Sequence, residues 1–500
     1  MGLDAALGVA SSSLANISLA YGVISQNVAN AQTPGYATEQ STLQSLDAGG
    51  TGFGARSGPT QLATSPALQA ALYTQNATTA GAATTNTALT AIAPALGTVG
   101  QNTDLGSLLG AVQNGFSALL NDPASQPQQQ AVVNAAQSLA QGINALAGTY
   151  SQARQAAQNN LVADVTQLNT ALGQIGALSS QIVAVKAQGG STADLENQRN
   201  AVLTTVSGLV DARFAEQPDG DMLVFTTGGA QLPTDSANPL SIAAATTGPT
   251  VYYPNGGLPG ITLDGTDITT QITGGSIGAN LTLRDTTLPT YQGELDEFSQ
   301  NLASRFQAQG LTLFSDGNGN VPATGGAPAQ ANYLGFAGEI QVNPQVATTP
   351  SLVRDGTQPT AWFTPNPAGG PAGFSTLINA VLNYTLGADA QPGVAQPAST
   401  TTGLGASGTL AAPFTAPATL ADFATDITSS QSADCAAATS AATDSTATQQ
   451  SFAGQLQSAT GVDMDSQMSL MVQLQNAYGA NAKIISTIQS MESTLLQAVQ

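Results

Sequence analysis

From Leu7 onward the apolar positions of this chain advance by alternating steps of three and four: Leu7, Ala10, Leu14, Ile17, Tyr21, Ile24 and Val28. That spacing is the seam of a helix made to lie along another helix. The remaining faces carry Ser, Ala, Asn and Gln, and Asp4 is the only charged residue before the Pro34-Gly35 break. The far end has the same character. Met471, Leu474, Tyr478, Ile485, Ile488, Leu495 and Val499 fit one helical seam, and between Gly461 and Gln500 only Asp463, Asp465, Lys483 and Glu492 are charged. A lone helix of this kind is marginal in water, whereas each large apolar side chain gains roughly 1.5–3 kcal/mol on full burial. The two ends are therefore expected to order by pairing with each other as a coiled coil. Two core helices of an ordinary globular domain would show the same period.

Between the ends the pattern changes several times. Residues 37–59, rich in Gly, Ser and Thr, read as a connecting loop of irregular extended structure. Helices are expected from Pro66 to about Thr90 and from Leu105 to Leu120, where Asn121-Asp122-Pro123 stops the second. The longest signal runs from Leu139 to Val185, with Gly142, Gly148, Gly173 and Gly176 as places where it could break. Gly189-Gly190 ends it, and Ser191 with Asp194 reads as the cap of a further helix through Leu203 and Val206. From Phe214 the period becomes two, with a turn at Pro218-Asp219-Gly220 and strand-like runs at Met222–Thr226 and Ile261–Leu263, which predicts a small β domain over 212–283. A helix follows with Tyr291, Leu295, Phe298, Leu302 and Phe306 on one face. Residues 311–417, rich in Gly, Pro, Asn and Thr, read as a variable, outward-facing region of β structure and loop. Thr419 and Asp422 then form a capping box that opens a returning helix. The expected architecture is mainly α with outer β portions: an inner layer from 1–36 and 461–500, a helical bundle from 60–211, 284–310 and 418–460, and the two β regions.

Composition narrows the chemistry. With 30 acidic and 9 basic residues the 500-residue chain carries a net charge of −21, which argues against nucleic acid or an anionic membrane as a partner. It has no histidine and one cysteine, Cys435. No intrachain disulfide, cysteine zinc cluster or imidazole base is available. Gly274-x-Ser276-x-Gly278 imitates a nucleophile elbow but lacks the histidine of a triad. Lys483 and Ser486 share a helix face, but a lysine base requires burial. Asp316-Gly317-Asn318-Gly319-Asn320 imitates a calcium loop, yet the sixth position is Val321 and the twelfth Ala327. Asp463 and Asp465 read as an acidic helix start, and Cys435 as a small packing residue. No catalytic, cofactor or metal site is expected. The first basic residue is Arg56, so the start lacks the positive region of a cleavable signal, and no stretch is expected to span a bilayer.

Two runs carry a family likeness. Asn27-Val28-Ala29-Asn30-Ala31-Gln32-Thr33-Pro34-Gly35-Tyr36 resembles the N-terminal signature of bacterial flagellar rod, hook and hook-associated proteins. Gly461-Val462-Asp463-Met464-Asp465, with Leu474-Gln475-Asn476-Ala477-Tyr478-Gly479-Ala480-Asn481-Ala482-Lys483-Ile484-Ile485, resembles their C-terminal signature. Within that group the helical middle, and Asp194-Leu195-Glu196-Asn197-Gln198-Arg199 in particular, is similar to the hook-associated proteins that begin the hook–filament junction, although Asn197 and Asn200 stand where that family usually shows acids. The resemblance implies a structural subunit of a tubular assembly, exported without a cleaved leader into the extracellular flagellum. It also implies contacts to other copies, to the hook protein and to the next junction protein, and a chaperone that holds the C-terminal region before export. Its assembly interface is expected along the seams, with Asn30, Thr33, Pro34, Gly35 and Tyr36 at the bend. Ordering the seventy-odd terminal residues costs on the order of 100 kcal/mol of backbone entropy, so they are expected to order on assembly. A hook or rod protein is the neighbouring alternative, and a secreted adhesin or hydrolase acting through 311–417 the alternative from another class.

Overall fold

The computed structural model describes the chain apart from residues 1–2, 49–50, 98–100, 102, 236 and 500, and apart from the side chains of 47–48, 51–53 and 499. The chain opens with α1 (Leu3–Asn30). Four short strands follow: β1 (Glu39–Gln40), β2 (Leu43–Ala48), β3 (Thr51–Ser57) and β4 (Gln61–Leu62). Here the structure departs from the expected irregular loop. β2 and β3 form an antiparallel hairpin with Leu43 opposite Ser57, and β1 pairs with β4. The reason lies outside the hairpin: Asn16 of α1 donates to Ala55 O at 2.6 Å and accepts from Ser57 N at 2.8 Å, so the helix supplies the surface on which β3 orders.

α2 (Pro66–Leu96) begins with proline in its first turn and ends at Gly97, whose φ of 75° no β-carbon-bearing residue adopts readily. α3 (Leu105–Asn121) is capped by Asp104, which accepts from Ser107 N. α4 (Gln126–Ala187) is one unbroken helix of 62 residues, about 93 Å long at 1.5 Å per residue. Its glycines do not break it, and two of them admit close neighbours instead. A β-carbon at Gly176 would stand 2.0 Å from Thr234 O, and one at Gly142 2.6 Å from Leu108 Cδ1. α5 (Ala193–Leu209) starts one residue later than the expected cap, at Thr192, whose hydroxyl bonds Glu196 rather than the backbone.

β5 (Ala212–Glu216), β6 (Met222–Thr226) and β7 (Gln231–Leu232) make a three-stranded antiparallel sheet. β8 (Thr262–Leu263) and β9 (Thr266–Asp267) turn through Asp264 and Gly265, both at positive φ, the two-residue turn that Asp-Gly favours. α6 (Gly275–Thr282) runs through a π-helical turn into α7 (Leu288–Ala308), and Ser276 is in the first turn of α6. Residues 311–417 add β10 (Phe314–Ser315), β11 (Gln341–Val342), α8 (Pro344–Thr348), α9 (Leu352–Asp355), α10 (Thr376–Ala380), β12 (Asp389–Gln391), β13 (Val394–Ala395), β14 (Thr402–Leu404) and β15 (Leu410–Ala411). α11 (Leu420–Thr460) opens on the expected capping box, Thr419 accepting from Asp422 N at 3.0 Å, and α12 (Met464–Val499) closes the chain.

α4 is the spine along which two cores are built. The larger joins its first half to α3, α7, the ends of α2 and α11, and apolar residues of 311–417 such as Leu313, Phe336, Val353 and Leu377. The smaller joins Leu161 to Ile175 of α4 to Tyr73, Leu203, Val206, the sheet β5–β7 and Ile277. Between them lies a polar layer. Arg154 donates to Arg284 O, Gly248 O and Val251 O, and the buried Arg284 reaches Gln158 Oε1 at 2.6 Å and Asp285 at 2.7 Å.

The expected separation of 311–417 as an outer region does not describe most of its buried apolar residues, which belong to the larger core. For the same reason α7 is not amphipathic toward solvent. Glu294, Asp296 and Glu297 are buried with its apolar face. Buried carboxylates require partners, and this segment supplies them. Asp296 accepts from Gly335 N and Ala337 N at 2.8 and 2.9 Å, and Glu297 from Thr400 N at 2.7 Å and the Tyr333 hydroxyl at 2.5 Å. The Asp316 loop is a turn closed by its own carboxylate on Asn318 N and Asn320 N. Cys435 packs half-buried against the larger core.

Candidate assembly interface

α1 and α12 lie side by side and antiparallel. Asn27 Nδ2 donates to Gln467 Oε1 at 3.3 Å, the Tyr21 hydroxyl to Met471 O at 3.4 Å, and Asn481 Nδ2 to Ser13 Oγ at 2.9 Å. Rising numbers on one helix meet falling numbers on the other. On α1 the deepest residues are Ala10, Ile17, Ile24 and Asn27, and Leu7, Leu14, Tyr21 and Val28 are half-buried. By length and apolarity α1 is sufficient to cross a membrane, against the expectation that no stretch is. In the structure it packs against α12 and β3.

The α12 seam differs from the expected one. Gln467, Met471, Leu474, Ala477, Asn481, Ile485 and Ile488 are its least exposed positions. Tyr478 is 49% exposed and Leu495 60%. Small and amide side chains hold seam positions 477 and 481, which a search for large apolar residues passes over, and Tyr478 lies one residue away from the seam. Beyond Met491 the helix has run past the level of Leu3, which leaves Leu495 and Leu496 uncovered; the side chain of Val499 is outside the described residues. A second stripe, Met464, Met468 and Val472 at steps of four, is also exposed. On the opposite flank of α1, Asn16 holds the β2–β3 hairpin, from which Leu43 projects 66% exposed.

Where the helix pair meets the body, four segments converge on polar side chains. Asn27, only 1% exposed, donates to Glu39 O at 2.8 Å and accepts from Glu39 N at 2.9 Å and from the Tyr36 hydroxyl at 3.2 Å. Asn197 of α5 accepts from Ala37 N at 2.9 Å and donates to Ala37 O at 3.1 Å. Thr38 N donates to Thr460 O at 2.7 Å and its hydroxyl to Gly461 O at 2.6 Å, at the corner between α11 and α12. Each contact satisfies main-chain groups that the tight turn would otherwise bury unpaired. Burial raises the Glu39 carboxyl above its ordinary range; the Asn197 amide opposes this, and the nearby Asp194 and Glu196 add to it. Burial and the Glu39 charge push the Tyr36 phenol up as well.

The bend itself is formed by Thr33 N bonding Asn30 O, Tyr36 N bonding Thr33 O, and Gly35 at φ 78°. Thr33, Pro34 and Gly35 face outward; of the expected bend residues only Tyr36 enters the buried cluster. Asp463 caps α12, accepting from Asp465 N and from the amide and hydroxyl of Ser466, and these bonds hold its carboxyl below the usual range. The helix-start reading of Asp463 holds, whereas Asn27, Thr38, Glu39 and Asn197 had no hydrophobic period to mark them.

The comparisons with known proteins cover the middle of the chain and its last helix. The family model for the helical domain of flagellar hook-associated protein FlgK matches residues 90–321, and that for the C-terminal part of the flagellar basal body rod FlgEFG proteins matches 453–498. Over these residues the chain is similar to flagellar hook-associated and rod proteins. Among solved structures it is similar to the flagellar hook junction protein FlgK from Burkholderia pseudomallei, with 23% identity and a TM-score of 0.41. The match covers 51% of this chain and 46% of that one, so the chain spans about half the length of the solved relative. No curated protein matches the chain. The first family match runs from inside α2 to beyond β10, and the second covers the end of α11 and nearly all of α12.

Proposed function

We propose that this hook-associated chain is a structural subunit that joins the flagellar hook to the filament. The observation that carries the reading is the terminal helix pair, which buries one seam and leaves a second apolar set, Met464, Met468, Val472, Leu495 and Leu496, in water. Burying such side chains against neighbouring copies stabilises an assembly by roughly 1.5–3 kcal/mol each. The few charges on α1 and α12 leave little to repel those neighbours. Leu7, Leu14, Ile17, Tyr21, Ile24 and Val28 on one helix and Met471, Leu474, Ile485 and Ile488 on the other hold the pair together, and the exposed set, with the overhanging Leu495, is what the pair offers to neighbouring copies. Tyr36 and Asn27 set the angle at which the pair leaves the body.

In this reading the chain is exported to the extracellular flagellum with its ends unfolded, and they order as each copy arrives. Its partners are further copies, the hook protein, the next junction protein and an export chaperone at the C-terminal region. Its role is mechanical, without catalysis. The domain division expected from the sequence serves this role, with an inner layer from the two ends and the rest of the chain outside it. Electron microscopy of flagella from a strain deleted for this chain tests the role. Hooks without filaments, restored when the chain is supplied again, are expected; filaments of normal length on the deletion strain would overturn it.

A further inference from the structure

The polar layer between the two cores borders a cavity of about 290 Å³. An apolar cavity of about 150 Å³ already holds benzene, so this one has room for a bicyclic compound. Pro249, Leu288, Pro289, Leu334 and Leu410 give it its apolar surface. Gly148 of α4 and Gly338 border it without side chains, and a β-carbon added at either would meet nothing within 4 Å. At these two points open space reaches the main chain.

One cation in the wall has no acid of its own. Arg154, 7% exposed, lines the cavity and donates one bond from each nitrogen to a carbonyl oxygen: Nε to Arg284 O at 2.8 Å, Nη1 to Gly248 O at 2.7 Å and Nη2 to Val251 O at 2.8 Å. A guanidinium has five N–H groups, so each Nη keeps one to spare, and among the described residues Arg154 makes no ion pair. Asp285, in the same wall, is committed elsewhere, with its two oxygens held by Arg284 at 2.8 and 2.7 Å. Burial pushes the Arg154 guanidinium down to about 10; Asp285 opposes this and Arg284 adds to it, as a buried charge without full compensation requires. The second polar feature is Gln292. Its Nε2 donates to Asp296 Oδ1 at 3.0 Å, while among the described residues its Oε1 accepts no hydrogen bond and is open to a donor.

We propose that this cavity binds a small monocarboxylic acid with an apolar body: the carboxylate takes the spare N–H groups of Arg154, the body lies against the proline and leucine walls, and Gln292 Oε1 accepts from any N–H or O–H the body carries. One unpaired cation calls for one negative charge. A phosphate dianion would be left half-compensated in a buried site, and a wholly polar anion would gain nothing from the apolar walls. A carboxylate, by contrast, matches the planar guanidinium and forms charge-assisted bonds with it.

Indoleacetate and phenylpropionate are the probes, titrated by calorimetry into the purified full chain. One-to-one binding with a Kd below about 1 mM is expected for at least one of them. The matching amides, indoleacetamide and phenylpropionamide, keep the bodies without the charge and are expected to bind roughly tenfold more weakly or worse, the loss of a charge-assisted bond. Gly148→Leu puts a side chain into the open space and replaces a glycine in a helix interior, so it should abolish binding without lowering the melting temperature. No saturable binding of either acid, equal binding of acid and amide, or binding that survives Gly148→Leu overturns the site. The free chain is measured, so each of these outcomes leaves the junction role standing.

Discussion

Asn27 grips Glu39 by both of its main-chain groups, donating to the carbonyl at 2.8 Å and accepting from the amide at 2.9 Å. The pair ties the last turn of α1 to the first residue of β1 across the Pro34-Gly35 bend, and the same side chain reaches Gln467 on α12. One buried amide thus fixes three segments. Asn27→Ala leaves these groups unpaired, with an expected cost of about 2–4 kcal/mol. The loss should appear first in the terminal pair. Hydrogen exchange on the full chain is expected to show faster exchange over 3–30 and 464–499 with α4 unchanged; equal acceleration throughout α4 would mean that the joint does not act locally.

Burial separates two kinds of apolar residue on the terminal helices. Ile24 is 2% exposed and Leu495 60%. Ile24→Ala is expected to destabilise the chain by about 2–5 kcal/mol, since it opens a cavity in the seam. Leu495→Ala should change the stability of the free chain by no more than about 0.5 kcal/mol, yet reduce incorporation into flagella. Chemical unfolding of the purified chain and the amount of chain in isolated flagella separate the two effects. A Leu495→Ala chain that assembles normally would remove the overhanging tip from the interface.

Much of this arrangement is readable from residue patterns. The period of α1, the run of α4 and the capping box at Thr419 and Asp422 each follow from local chemistry, and the structure forms all three. The hairpin β2–β3 is different: nothing within residues 43–57 reveals that Asn16, some forty positions earlier, holds its edge. Nor does the amphipathic reading of α7 reveal that Gly335, Ala337 and Thr400 come to its acids through main-chain amides. Hydrophobic periodicity identifies which face is buried, whereas a polar contact between distant segments has no period. The same limit applies to Ala477 and Asn481 on the α12 seam and to Asn197 at the joint, none of which a hydrophobic period marks.

The buried acids of α7 predict a pH dependence. Burial raises the Glu294 and Asp296 carboxyls to about 7 each, against unfolded values of about 4. An acid with a raised folded-state pKa binds more protons in the native state. Stability from these two groups is therefore full below about pH 4, falls as pH rises toward 7 and flattens above it. Glu294→Gln keeps the bond with Gln431 and cannot ionise. It is expected to raise the melting temperature at pH 8 and leave it nearly unchanged at pH 4. Thermal melts across this range measure the effect, and an equal shift at both pH values would assign it to packing instead of charge.

Asn197 offers the sharpest test of the joint, because the family resemblance places an acid where this chain has an amide. Its carbonyl oxygen accepts from Ala37 N and its amide nitrogen donates to Ala37 O, and that nitrogen also lies 3.5 Å from Glu39 Oε1. Asn197→Asp retains the first bond and loses the second. It also sets a carboxylate against Glu39, whose own carboxyl is already raised by burial and by Asp194 and Glu196. Like charges brought together in a buried site drive one of the pair to hold its proton. The variant is therefore expected to be less stable than the parent at pH 8 and to recover most of the difference by pH 5. Asn197→Ala loses both bonds without adding charge and should show a deficit that is nearly independent of pH. Chemical unfolding of the two variants at both pH values distinguishes them. Matching deficits would show that Asn197 acts at this joint through its hydrogen bonds alone, with no part played by its neutrality beside Glu39.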